Sequence, residues 1–161
     1  MNNEAAIQGL GKIGWTVSPK IVHGFKLPAR IARRYPRLPE ELTDFISRMS
    51  VCTNQAQTTW FLCEADYAGT SDSAFTWDEW ERLSLGSAKD DKKACAEISG
   101  FWDSHFPFMF SVHSGYSFHA VCLDPSRYGT IVEGYEPAFE ETTQVAESFG
   151  AFLALLLRPK K

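Results

Sequence analysis

Hydrophobic and polar positions alternate along this chain with two distinct periods. In LPEELTDFISRM, Leu42, Phe45, Ile46 and Met49 recur at i, i+3, i+4 and i+7, which is one apolar stripe along a helix. The Leu38-Pro39 step opens that helix, because proline suits the first helical position. Glu40 and Glu41 fall in its first turn, where the helix dipole favours negative charge. A second step, Leu27-Pro28, opens a shorter basic helix in PARIARRYP. Near the end, TTQVAESFGAFLALLL carries Val145, Phe149, Phe152, Leu153 and Leu156 on one side and predicts a C-terminal helix. Thr76 and Glu79 have the spacing of a capping box at the start of TWDEWERL. A further helix is predicted over Lys89 to Trp102, with Ala94, Ile98 and Phe101 facing inward.

The other period belongs to strands. TTWFLCEADY is rich in β-branched and aromatic residues and reads as one strand. FPFMFSV and YSFHAVCL are apolar runs separated by Ser114-Gly115, a two-residue turn, and RYGTIVEGY follows after a glycine-centred turn. Consecutive runs with short links predict an antiparallel meander. The fold class expected is α+β: a single domain in which N-terminal helices and a C-terminal helix pack on one side of an antiparallel sheet. That domain is expected over 27–161. Residues 1–26 are dotted with glycine and weakly periodic, and read as a loosely ordered lead-in with a short strand or turn. No internal repeat or low-complexity run is present.

Composition sharpens this picture in two ways. The 161 residues are 44% hydrophobic and 22% charged, which suits a packed core and argues against wholesale disorder. Fourteen per cent are aromatic, so Trp60, Trp77, Trp80 and Trp102 are expected as core anchors. No run approaches the roughly 18 apolar residues a membrane helix needs. The start of the chain lacks a basic stretch followed by an apolar one, so a cytoplasmic location is expected. Cysteines 52, 63, 95 and 122 are irregularly spaced with no CxxC, and read as reduced, mostly buried thiols rather than a zinc site. No metal and no cofactor is expected.

The richest candidate chemistry lies in HFPFMFSVHSGYSFHAVCLD, which holds His105, His113, His119, Cys122 and Asp124. With a two-residue turn at Ser114-Gly115, His113 pairs with Tyr116 and His119 with Phe110, placing the two histidines on opposite faces. A three-residue turn would bring them to one face. His119 and Cys122 are three apart on a strand and face opposite sides, which argues against a nucleophile–base pair. His105, at the end of the preceding helix, is placed to meet carbonyl groups. GxSxG, HExxH, P-loop and GxGxxG motifs are absent. No catalytic residue is assigned, and an enzyme built on these histidines and cysteines is the remote alternative.

Charge is unevenly distributed. Residues 1–63 carry eight Lys/Arg against four Asp/Glu, whereas residues 64–147 carry five against sixteen, a balance of −11 within a chain of net charge −4. Such a portion is unsuited to phosphate contacts, so direct nucleic-acid binding is not expected. It suits docking onto a basic protein, or it is a solvated surface that maintains solubility.

Taken in order, LPEELTDFISRM, TTWFLCEADY, FTWDEWERLSL, ISGFWDSHFPFMFSV, GYSFHAVCLD and GTIVEGYEPAFEETTQVAESFGAFL resemble the SUKH superfamily over roughly 27–157. The most telling piece is the glycine-led strand followed by an acidic turn and VAESFGAFL. The resemblance implies a non-enzymatic binding module. Bacterial members are immunity proteins that neutralise a cognate toxin, often a nuclease, by direct docking, and a fungal member is a regulator of cell-wall synthesis. A scaffold module without a toxin partner is therefore the alternative. Many members carry a Gly-Asp step near the start of the second hairpin strand. Here the place reads Ser114-Gly115-Tyr116-Ser117 with no carboxylate, implying different contacts. Candidates for meeting a basic toxin are Asp66, Tyr67, Asp78, Glu79, Glu81, Glu133, Glu136, Glu140 and Glu141. To these Tyr116 is added, at a hairpin tip expected to be exposed. Replacing Tyr116 is expected to weaken binding and leave the melting temperature nearly unchanged.

Overall fold

Trp60 and Phe61 are neighbours in a strand and so must face opposite sides of a sheet. In the computed structural model, which describes residues 2–22 and 24–160, each heads a row of cross-strand partners on its own side. The sheet runs β1 (Thr16–Pro19), β2 (Met49–Thr53), β3 (Thr59–Phe61), β4 (His105–Ser111), β5 (Ser117–Cys122), β6 (Ile131–Tyr135) and β7 (Thr143–Ala146). Its seven strands lie in chain order and every neighbouring pair is antiparallel. The helices are α1 (Asn3–Lys12), α2 (Ala29–Arg34), α3 (Glu40–Ser47), α4 (Glu64–Ala68), α5 (Glu79–Ser87), α6 (Lys92–Asp103) and α7 (Phe149–Leu156). The class is α+β with an antiparallel meander.

Helices cover both faces, not one. Trp60, Phe110, Phe118 and Gly134 pair in sequence across β3 to β6 and share one face. Trp80 of α5 meets Phe110 there with ring centroids 5.0 Å apart, and Trp102 of α6 meets Phe118 at 4.7 Å. On the other face Phe61, Met109, His119 and Glu133 form the parallel row. Phe45 of α3 packs on Phe61 at 5.0 Å, and Phe149 of α7 on Phe108 at 5.3 Å. The physical reason is that aromatic residues occupy both parities of these strands, so each face must be buried.

Three local expectations are corrected. TTWFLCEADY is not one strand: β3 stops at Phe61, and the Asp66 carboxylate accepts the Cys63 N–H at 2.7 Å, opening α4. Gly69, with φ of +73°, closes that helix in the left-handed conformation. The stretch expected as a loose lead-in contains α1, capped by Asn2 Oδ1 accepting from the Ala5 N–H at 2.8 Å, with Ala6 and Leu10 fully buried. The hairpin turn is longer than two residues. The ladder ends at Ser111–Ser117, leaving the five residues 112–116 in the loop, and His119 pairs with Met109 rather than Phe110.

Two buried tyrosines and one ion pair tie the layers. Tyr35 donates to the Trp102 carbonyl at 2.7 Å, and Tyr67 to the Pro107 carbonyl at 2.8 Å. Arg34 binds both carboxylate oxygens of Glu81, at 2.8 and 2.7 Å, and also Asp103 at 2.9 Å. This fixes α2 against α5 and α6.

Candidate functional site: a carboxylate-rimmed hollow beside α5

The site begins at Gly134. A Cβ there would lie 2.5 Å from Phe118 Cε1 and 2.5 Å from the Phe139 carbonyl oxygen. Only glycine lets the chain after β6 fold back this closely onto the sheet. The return seats Phe139 against the Trp80 indole, ring centroids 5.4 Å apart and planes 9° from parallel. Tyr116 stacks on the same indole at 4.7 Å and 21°. The Glu136 N–H donates to the Tyr116 carbonyl at 2.9 Å, joining the hairpin loop to the acidic turn.

Between α5, α6 and this turn lies an open hollow of about 420 Å³. Leu83, Ile98 and Pro137 supply apolar wall, and Tyr116, Glu136 and Glu140 supply the polar groups. No Lys, Arg or His lines it among the described residues. Ser84 Oγ–H donates to Glu140 at 3.0 Å. Burial pushes the Glu140 carboxyl pKa up. The Ser84 hydrogen bond and, in smaller measure, the neighbouring Trp102 indole pull it down, and nearby Glu81 pushes it up again. Among the described residues the buried Trp102 indole N–H makes no hydrogen bond of ordinary distance and angle. Among the described residues, none of Glu136, Glu140 and Glu141 has a cation within ion-pair distance. A half-buried carboxylate with no internal counter-ion has acceptor capacity left for an incoming cation.

The candidate residues thus divide. Tyr116, Glu136 and Glu140 come together in the hollow, and Glu141 follows them, exposed. Tyr116 is half-buried rather than an exposed tip, which corrects the expectation drawn from the turn. Asp78 and Glu79 both accept from Thr76 Oγ1 at 2.9 Å and organise the start of α5. Two candidates are overturned by burial. Tyr67 is 2% exposed in the core, and Glu81 is 6% exposed and held by Arg34, so neither is free to meet a partner. Asp66 lies at a different hollow, beside β2 and β3. Glu133 is on the opposite face of the sheet, 3.6 Å from His119 Nε2 and accepting from Tyr135 at 2.5 Å. Sequence reasoning missed Leu83, Ser84 and Ile98, which carry no motif and enter the site only through the packing of α5 and α6.

The histidines are dispersed. His113 is exposed in the loop, and His119 is half-buried against Phe152. Cys122 lies on the other face of β5 from His119, opposite His105. His105 Nδ1 lies 2.7 Å from the Phe101 carbonyl, and its ring stacks on the Phe101 ring at 4.0 Å. Burial lowers the pKa of His105 and of His119. Burial raises the thiols of Cys52 and Cys63, Cys63 to about 12. Among the described residues no group of three or more His, Cys, Asp and Glu side chains is placed to hold a metal ion. No described helix is long and apolar enough to cross a membrane.

No protein-family model, curated protein or solved structure matches the chain.

Proposed function

We propose that this protein is an immunity-type inhibitor that neutralises a basic bacterial toxin by covering it, with the hollow beside α5 as the docking centre. The observation that carries the reading is Glu140: a half-buried carboxylate with no cation at ion-pair distance among the described residues, beside Glu136 and an apolar wall that includes Leu83, itself 42% exposed. A Lys or Arg side chain from a partner would lay its stem on Leu83 and Pro137 and bring its charge to Glu140 and Glu136. The balance of −11 over residues 64–147 steers a positively charged partner toward this half of the chain. The order of segments resembling the SUKH superfamily adds a toxin as the partner. A nuclease is the favoured class, because its phosphate-binding surface is basic.

The test is co-expression with the product of the adjacent gene. Rescue of growth by the intact protein, lost in Glu136→Gln/Glu140→Gln, supports the proposal. Equal growth with and without the protein contradicts it.

A further inference from the structure

The sheet face covered by α5 and α6 is left open at its other end. Thr53 pairs with Trp60, so β2 presents Val51 and Thr53 to the same side as Trp60. Val51 is 43% exposed there. α4 and the loop 70–75 rise beside it, and with β2 and β3 they line an open hollow of about 560 Å³. Its apolar wall includes Val51, Trp60, Phe75 and Val112, with the Trp60 and Phe75 rings 5.7 Å apart. Its charged groups are Asp66 and Asp72, and no Lys, Arg or His lines it among the described residues. The Trp60 indole N–H is shut off from solvent and, among the described residues, has no hydrogen-bond partner.

We infer that this hollow is a binding site for a small organic cation, an amine or guanidinium on an apolar stem. Its volume falls in the range of about 300–1,000 Å³ typical of small-molecule sites. Aromatic rings attract a cation through their π faces, and the two carboxylates supply counter-charge. An anion is disfavoured, since Asp66 and Asp72 would both repel it. This site is separate from the Glu140 hollow and does not depend on the docking role proposed for it.

The experiment is an NMR titration of the intact protein that follows the Trp60 indole resonance, assigned with Trp60→Phe. Agmatine is the cationic probe, and hexanoate is an anion with a similar apolar stem. Agmatine is expected to shift the resonance saturably, with a Kd on the order of 1 mM. Asp66→Asn/Asp72→Asn is expected to weaken it by at least about threefold. Asp66 also helps to start α4, so Asp72→Asn alone, in the exposed loop, is the control variant, expected to weaken binding by about twofold. N-acetyl-arginine methylamide then separates sources: tighter binding than agmatine assigns the site to an arginine borne on a peptide, and weaker binding to a free amine. No saturable shift with either cation, an equal response to hexanoate, or an unchanged affinity in Asp72→Asn overturns the inference.

Discussion

The Phe139 ring lies flat on the Trp80 indole, with centroids 5.4 Å apart and planes 9° from parallel. This contact joins the acidic turn after β6 to α5, and the carboxylate-rimmed hollow lies beside it. Because the contact depends on the close return of the chain over Gly134, the hollow depends on it too.

Gly134→Ala is therefore expected to destabilise the fold by about 1–3 kcal/mol, the usual range for an overpacked site. The added methyl meets the Phe139 carbonyl, which is backbone and cannot swing aside. Chemical denaturation of the variant measures this, and an unchanged midpoint would show that the turn does not rest on the sheet there. Gly150→Ala is the milder comparison, since the nearest atom to a Cβ is a Glu41 side-chain oxygen at 3.3 Å.

Tyr116→Ala is expected to cost about 1–2 kcal/mol as well as partner affinity, because the ring is stacked on Trp80. Tyr116→Phe keeps the stack and should keep the melting temperature. The sequence alone places Tyr116 at an exposed tip whose loss is silent in stability, so thermal melts of both variants discriminate the two pictures.

The Arg34–Glu81 pair offers a test of the helix arrangement. Glu81→Ala leaves Arg34 with only the exposed Asp103 carboxylate, and Arg34→Ala strands a buried Glu81. Each is expected to cost about 2–3 kcal/mol, below the 3–5 kcal/mol typical of a fully buried pair because Arg34 is partly solvated. A double-mutant cycle should show a loss for the pair well short of the sum of the singles.

Glu140 gives a pH signature. Its carboxyl pKa is raised by burial, so the folded chain keeps the proton over a range in which the unfolded chain has released it. Stability from this group is thus lost as pH rises from the ordinary carboxyl value through the raised one. Glu140→Gln removes that loss. Its melting temperature should exceed the parent's at pH 7 by a few degrees at most, and the difference should vanish below about pH 4. A variant that melts lower than the parent at pH 7 would mean that the carboxylate is already satisfied within the fold.

Much of the fold is legible in the residues. The stripe of Leu42, Phe45 and Ile46 is buried in α3, and Phe149, Phe152 and Leu153 are buried in α7, but Val145, expected in that same helix, lies in β7. The runs around Phe110, Phe118 and Val132 become β4, β5 and β6. Less legible features have physical reasons. Cysteine is a weak signal for a helix cap, so the Asp66–Cys63 contact that ends β3 is not apparent from composition. The hairpin register turns on Tyr116 leaving the ladder to stack on Trp80, a long-range contact. The chain also bulges between Pro107 and Met109. In the acidic portion, carboxylates that cap, pair or face solvent look alike in sequence. Only packing separates Glu81, held by Arg34, from Glu140, which has no cation beside it among the described residues.

The docking role is tested most directly by calorimetric titration of the adjacent gene's product with the parent protein and with Glu136→Gln/Glu140→Gln/Glu141→Gln, at low and high salt. Tight binding by the parent that weakens with salt, and a loss of at least about tenfold in the triple variant, is the expected result. No binding by the parent, or equal affinity for parent and variant at both salt concentrations, would contradict a docking role for this hollow.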